Sequence, residues 1–405
     1  LIWQMQKDYF DKKGVDTWNK QVPFYVTSNP VVAHSYAQMC AALMKDYKDK
    51  HNDDCFYILE LGTGSGQFSC YFLTFLTKML ERCDLKDLKF CYVMTDFTLQ
   101  NLKFWQTQPK LKEFVDKGVL DFAIYNLEEQ NDIELVNKKI TLNKDTAKAP
   151  ITVVANYIFD TVIHDAFNIS NNYLNLSKIS LSTTNDNFDV ATSMPKKLED
   201  LTTDFTNERL YKENGYYKSN TNITNLTRSD EHKKLLDQVI FGYKDLISDG
   251  SFLLPVGALD CIDHLASISS VGIMILSTDK GYSHLFEIEG RHDPRVAFHS
   301  SFSLSVNFDA IGRYIDLLKG DSLFPEPRDG IKTAVFLLGL DKINKLPEIK
   351  NTFDNNLARF TPADFFHYHR MLREGDSKLR TLPRLLSHFN LCNWDPYTFS
   401  LYHQG

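Results

Sequence analysis

The sequence predicts an α/β protein: a doubly wound, Rossmann-like, mostly parallel sheet with an inserted cap and a C-terminal helical region. Three observations carry this expectation. Short apolar runs that end in a polar residue alternate with segments of helical period. A glycine-rich turn follows the first run. The texture becomes Asn-, Thr-, Ser- and Lys-rich after Phe167, and the α/β pattern resumes near 232.

In chain order, residues 1–22 read as a helix anchored by Trp3, Phe10 and Trp18, and 22–26 as a short extended run. Asn29 before Pro30 is an N-cap signature for a helix reaching about Tyr47. Phe56–Glu60 reads as a buried parallel strand, 62–66 as a turn and 67–82 as a helix. Buried strands are expected at Phe90–Met94, closing at Asp96, at Leu120–Tyr125, and at Ile151–Ala155, closing at Asn156, with a helix from Thr98. The alternation at Leu174/Leu176 and Ile179/Leu181 suits a β-rich cap. Beyond it come a helix (232–248), strands at Val271–Leu276, Phe302–Phe308 and Lys332–Leu338, and a helix at Ala310–Leu318. Thr361-Pro362-Ala363-Asp364 opens a helical C-terminal part. The expected divisions are 1–167, 168–231, 232–345 and 346–405.

The chain has 405 residues, 43% of them hydrophobic, enough to bury a large core. Its formal charge of −7 supplies no basic excess for nonspecific nucleic-acid binding. No apolar run reaches the roughly 18 residues of a membrane span, so no membrane role is expected. Seven cysteines without a CxxC pair argue against a disulfide framework or a thiolate metal site, and for a reducing, cytoplasmic setting. The oligomeric state is left open.

The segment Glu60-Leu61-Gly62-Thr63-Gly64-Ser65-Gly66 is the strongest chemical signal. Glycines let a backbone turn off a strand and approach a ligand, and the helix N-terminus behind them favours an anionic group. A dinucleotide fingerprint would place a third glycine at 67, where this chain has Gln67, which disfavours a nicotinamide oxidoreductase. ExGxGxG with an acid on the strand end resembles the pattern of class I S-adenosylmethionine (SAM) methyltransferases. On that reading Glu60, Gly62, Gly64 and Gly66 cradle the cofactor, Asp96 accepts the ribose hydroxyls, and Asn126 and Leu127 read and pack the adenine. Polar residues at successive strand ends suit the carboxyl edge of an open sheet, where ligands bind.

The chain also resembles the MidA-type SAM-dependent methyltransferases, a family that includes a mitochondrial arginine methyltransferase for complex I assembly. Phe24-Tyr25-Val26-Thr27-Ser28-Asn29-Pro30 is similar to the family's "DFxTxPE" element, which implies that Thr27 and Ser28 lie over the cofactor. Ala155-Asn156-Tyr157-Ile158-Phe159-Asp160 stands where the family has "NExxD", and Val306-Asn307-Phe308 resembles "HVDF". Tyr157 replaces the family glutamate and Ser305 the histidine. Residues around Asp364 and Trp394-Asp395 resemble bacterial methyltransferase–tetratricopeptide repeat fusions. The resemblance implies SAM as cofactor, S-adenosylhomocysteine as product and a protein substrate methylated on nitrogen. The alternative is a scaffold that keeps the fold without turnover.

On the acceptor side, Asn156, Asp160 and Asp165 are the candidate catalytic residues. The expectation is that the Asn156 carbonyl orients an amine, and that one helical turn places Asp160 on its face. Asp160 and Asp165 would hold a cationic acceptor or take its proton. Glu287, Glu289, Arg291 and His292 form a polar cluster that would line an acceptor channel or a solvated hairpin. His34 is expected to pack rather than bind, and His367 with His369 lacks a third metal ligand.

Overall fold

The computed structural model describes residues 3, 24–83, 85–183, 188–189, 194–195, 201–211, 215–219, 228–292, 294, 296–299 and 301–402. Apart from Trp3, the helix expected over 1–22 lies outside these residues. Phe24–Val26 is a 3-10 turn rather than an extended piece. Helix α1 (Pro30–Tyr47) starts where its signature placed it, with the Asn29 side chain accepting from the Val31 and Val32 amides.

Strand β1 (Cys55–Glu60) leads through the glycine turn into α2 (Gln67–Arg82). Strand β2 (Lys89–Asp96), helices α3 (Leu99–Gln106) and α4 (Pro109–Asp116), and strands β3 (Leu120–Ile124) and β4 (Ile151–Asn156) complete the first half. The cap contributes β5 (Asp165–Ser170), β6 (Tyr173–Ser182) and β7 (Thr202–Arg209). The second half holds α5 (Asp230–Gly242), β8 (Gly250–Leu254), α6 (Val256–Ile268), β9 (Ile273–Tyr282), the short β10 (Val306–Asn307), α7 (Phe308–Leu317), β11 (Asp321–Leu323) and β12 (Ile331–Leu338). Helices α8 (Pro347–Thr352), α9 (Pro362–Glu374), α10 (Leu382–Leu391) and α11 (Pro396–Ser400) close the chain.

The main sheet runs β11-β12-β9-β4-β1-β2-β3, with β10 paired to β9. Strands β3, β2, β1, β4 and β9 are parallel, and β12 enters antiparallel between β9 and β11. The strand order reverses next to β1, which opens a crevice at the carboxyl edge. This is the doubly wound, Rossmann-like sheet that the sequence predicts.

Period-two alternation assigns the faces. Tyr57 and Leu59 of β1 and Cys91 and Val93 of β2 point into one core with α5, α6 and α7. Phe56, Ile58, Tyr92 and Met94 point into the other, with α1, α2, α3 and α4. Truncating a central residue such as Leu59 to Ala should cost about 2–5 kcal/mol, since it is fully buried.

One strand lies outside the main sheet, and one placement differs from expectation. Gly250–Leu254 does not continue the main sheet. It pairs antiparallel with β5, so the second sheet is β8-β5-β6-β7 and draws on both sides of the insertion. The strand expected at Phe302–Phe308 is split. Ser301–Ser303 forms a hairpin with Ala297–His299, and the chain enters α7 already at Phe308, capped by Asn307. Asn307 is an N-cap, and that local preference overrides the apolar run.

Candidate active site

The glycine turn has the backbone its composition demands. Gly62, Gly64 and Gly66 all have positive φ, at 60°, 59° and 77°. A Cβ on Gly66 would sit 2.8 Å from Met94 Cε, and one on Gly62 2.6 Å from Ile158 Cδ1. The turn is pinned from outside: Trp105 donates its indole N–H to the Gly64 carbonyl at 2.7 Å, and the Thr63 amide donates to the Thr95 carbonyl. Glu60 lies buried beneath the turn, where its carboxylate accepts from the Thr63 and Ser69 hydroxyls. Burial pushes its pKa up to about 7 against those hydrogen bonds.

Asp96 closes β2 beside the turn, but its carboxylate is already engaged. Oδ1 accepts from the Thr98 amide and hydroxyl, both at 3.0 Å, and Oδ2 from the Asn101 side chain at 2.7 Å. These three contacts occupy most of the four or so acceptor positions of a carboxylate. Burial raises the pKa of Asp96, and these donors hold it back. In this conformation most of the Asp96 carboxylate is spent on the start of α3, which leaves about one acceptor position for a ribose.

A crevice sits over the turn, lined among others by Thr27, Ser28, Glu60, Phe68, Asn156 and Tyr157. Its volume is about 30 Å³, room for roughly one water rather than the several hundred Å³ of a nucleoside site. Asp96, Asn126 and Leu127 are not part of its lining. Asn126 turns its carbonyl to the Glu128 amide, and Leu127 is buried in the core.

The segment carrying Thr27 and Ser28 is held from behind. The Tyr25 hydroxyl bonds Thr398 Oγ1, and its ring packs on Phe365, His369 and Tyr397 of the C-terminal helices. Asp395 joins the same clamp by accepting from the Tyr71 hydroxyl of α2 at 2.8 Å. The C-terminal helical region thus braces the segment that lies over the crevice.

Asn156 corrects one expectation. The Thr278 amide can only donate, and it points at Asn156 Oδ1 at 3.2 Å, which fixes the amide's orientation. The Tyr36 hydroxyl donates to the same oxygen at 2.9 Å. The carbonyl is therefore consumed by the sheet and cannot orient an acceptor amine. The Nδ2 group is the part left over, buried and without a partner among the described residues. A buried donor with no acceptor, on a residue lining the crevice, is the polar feature a ligand would satisfy.

The helical-turn expectation for Asp160 is also corrected. Tyr157 takes φ 50°, the chain turns through 157–164 without helix, and Asp165 opens β5. Asp160 meets a residue that sequence reading missed, Asp279 on β9. The Asp160 amide donates to Asp279 Oδ2 at 3.1 Å, and Asp160 Oδ1 is buried without a partner among the described residues. Lys280 donates to Ser303 Oγ at 2.8 Å and supplies the nearby positive charge. Burial raises both carboxyl pKa values; Asp160 adds to the rise at Asp279, and Lys280 opposes it at both. Tyr157 stands close enough to feel both charges. The polar run Ser277-Thr278-Asp279 at the end of an apolar strand marks Asp279 as a strand-end acid but does not give its partner.

Asp165 belongs elsewhere. It accepts from the Tyr217 hydroxyl beneath the cap, near the Arg228–Asp260 ion pair. Burial pushes its pKa up to about 6. Of the three acids and amides expected to converge, Asn156 and Asp160 share the end of β4 and its following turn, and Asp165 does not join them. His164 is buried, its Nε2 bonded to the Phe159 carbonyl, and burial lowers its pKa to about 4.

The cluster after β9 lines a separate open cavity of about 450 Å³. Glu287 pairs there with the buried Lys332, Glu289 caps Ser248, and Arg291 lies over the Tyr282 ring at 4.6 Å. His34 packs edge-on against Phe75. His369 pairs with His388 rather than His367, and no group of three or more His, Cys, Asp or Glu among the described residues is placed to hold a metal ion. No helix among them is long and apolar enough to cross a membrane.

No family model and no curated protein matches the chain. Solved structures do resemble it in shape. A COG1565 superfamily member from Burkholderia thailandensis bound to S-adenosyl-homocysteine is 11% identical, covers 82% of this chain and 84% of its own, and superposes with a TM-score of 0.48. A second COG1565 superfamily structure from the same organism is 10% identical over 85% of this chain and 95% of its own, with a TM-score of 0.44. Magnesium protoporphyrin IX methyltransferase from Synechocystis PCC 6803, with bound S-adenosylhomocysteine, is 11% identical over 83% and 99%, with a TM-score of 0.34. Identities and scores this low carry no argument about chemistry, which rests on the site itself.

Proposed function

We propose that the chain is a SAM-dependent methyltransferase that methylates nitrogen on a protein side chain. One observation supports this most. Three left-handed glycines stand between a buried strand-end glutamate and a helix N-terminus, beside the switch point of a doubly wound sheet. SAM, when bound, supplies an electrophilic sulfonium methyl group. The residues here fit such a group in kind: backbone amides at 62–66, the Glu60 carboxyl, the orphaned Asn156 amide, and Thr27 and Ser28 overhead.

Fit in size requires movement. The segment holding Thr27 and Ser28 and the Tyr157–Ile158 turn must withdraw to widen the crevice, and Asp96 must exchange the Thr98 hydroxyl or the Asn101 amide to accept both ribose hydroxyls. Methyl transfer asks the protein for alignment, water exclusion and a place for the acceptor's proton. On this reading the Asp160–Asp279 pair takes that proton, and Asn156 Nδ2 holds a carbonyl or carboxylate oxygen in place. Arginine as the methylated residue follows from the MidA resemblance; the glutamate lost at Tyr157 weighs against it.

The second reading, a fold retained as a scaffold without turnover, draws on the closed crevice and on Tyr157. Calorimetry with SAM and S-adenosylhomocysteine, followed by methyl-labelled SAM in lysate, separates the two. Saturable binding and a labelled protein band that vanishes with Asp160→Asn support the enzyme. Binding without label supports the scaffold, and no binding overturns both the cofactor and the methyltransferase reading.

A further inference from the structure

The edge of the main sheet opposite the glycine turn carries its own cavity, of about 490 Å³, within the usual range of small-molecule sites. It lies where β1, β2 and β3 begin. Tyr57, Leu88 and Phe90 form an apolar floor. Lys86, Lys89, Lys117 and Lys138 stand around it, with Glu81 the one acid among the lining residues. In a chain of net charge −7 this is a local inversion of sign.

Three of the four lysines are not neutralised by an acid among the described residues. Lys117 pairs with Glu113. Lys89 donates to the Asp53 carbonyl at 3.1 Å and Lys138 to the Gly118 carbonyl at 2.9 Å. A carbonyl fixes an ammonium group in place and leaves its charge and two donors unspent. Lys86, Lys89 and Lys138 are in no ion pair among the described residues. One wall also holds an orphan: Thr77 Oγ1 is buried and has no hydrogen-bond partner among the described residues.

We infer that this cavity is a binding site for a small anion with an apolar body, such as an acyl or aryl carboxylate, sulfonate or phosphate monoester. The floor takes the hydrocarbon, the Lys89 and Lys138 ammonium groups take the anionic head, and the Thr77 hydroxyl completes the polar contacts. The charges of Lys138 and Lys89 both reach the Cys55 thiol on the cavity floor, where they oppose the rise that burial imposes. Both lysines line the cavity beside Cys55. The site is independent of the proposed cofactor crevice, at the other end of the same strands.

The test uses the full chain, with decanoate and 1-anilinonaphthalene-8-sulfonate as probes, by calorimetry and fluorescence. Both should bind saturably and compete for one site. The affinity should fall with salt and drop ~10-fold or more in Lys89→Glu/Lys138→Glu. Lys112→Glu/Lys350→Glu, the same charge change on exposed ion pairs elsewhere, should bind as the parent does. Lys86→Glu, a single exposed change, serves if the double variant fails to fold, and should weaken binding by a smaller factor. Inorganic phosphate at matched ionic strength should displace neither probe. No saturable binding at about 1 mM probe, an affinity indifferent to the lysines, equal loss in the control variant, or displacement by phosphate alone would each overturn the proposal.

Discussion

The glycine turn and the acid pair sit on the same carboxyl edge, yet they are built in opposite ways. The turn is assembled within a stretch of contiguous sequence, 60–66, and its few outside contacts only brace it. The Asp160–Asp279 pair joins residues far apart in the chain, each buried and each costly to ionise. The first owes its shape to backbone conformation and should respond to added side-chain bulk. The second owes its character to a shared low-dielectric environment and should respond to charge. Substitutions at each place test whether the division is real.

The largest effect is expected at Gly66. Gly66→Val forces a branched residue into φ 77° with its Cβ against Met94 Cε. It should abolish SAM binding by calorimetry and cost about 2–4 kcal/mol in urea unfolding. Gly118→Ala, also left-handed but with nothing within 4 Å, should cost only about 1 kcal/mol and leave binding intact. Equal costs at the two glycines would show that contact at the turn does not matter.

Next comes Asp160→Asn. Methyl transfer should fall about 10²–10⁴-fold with SAM affinity unchanged. Its effect on stability has a definite sign. A carboxyl whose folded pKa is raised binds its proton more tightly in the folded state, so its stabilising contribution is full at low pH and is lost as pH rises through the folded value. Asp160 and Asp279 act in this direction together, as do Glu60, with a folded value of about 7, and Asp165, of about 6. The variant should therefore melt ~2 °C or more higher than the parent at pH 8, and the gain should vanish near pH 4. A loss of stability at pH 8 would mean that Asp160 is ionised and well paired.

How much of this was legible beforehand divides along the same line. The Asn29 cap, the strand ends at Glu60, Asp96 and Asn156, and the Thr361–Asp364 capping box were readable because each is set by neighbours within a few residues. Asp279 was not, because its role appears only when β9 is laid beside β4. The orientation of Asn156 was not either, since it is dictated by Tyr36 from α1 and Thr278 from β9. Asp165 was misplaced because a loop and helix were expected after Asn156, where Tyr157 turns the chain and Asp165 opens β5.

Smaller effects sharpen the comparison. Asp279→Asn should slow methyl transfer less than Asp160→Asn, and the double variant should show a coupling of about 1–2 kcal/mol in a thermodynamic cycle. Additive effects would separate the two carboxyls. The smallest change is Tyr25→Phe, which removes the hydroxyl contact to Thr398 and should cost about 1 kcal/mol of stability. By loosening the segment above the crevice, it should also speed SAM association a few-fold in stopped-flow measurements. An unchanged rate would show that the Tyr25–Thr398 contact does not limit entry.

That contact spans 373 positions of the polypeptide. During synthesis the glycine turn and its supporting strands can fold while the ribosome is still adding residues, but Tyr25 finds Thr398 only after the segment around Thr398 has emerged from the exit tunnel. A nascent chain therefore passes through a stage in which the segment over the crevice is unlatched. On the methyltransferase reading, ligand capture and final closure are then separate events in time, and a cofactor present in the cell during translation would have its easiest access before this late contact forms.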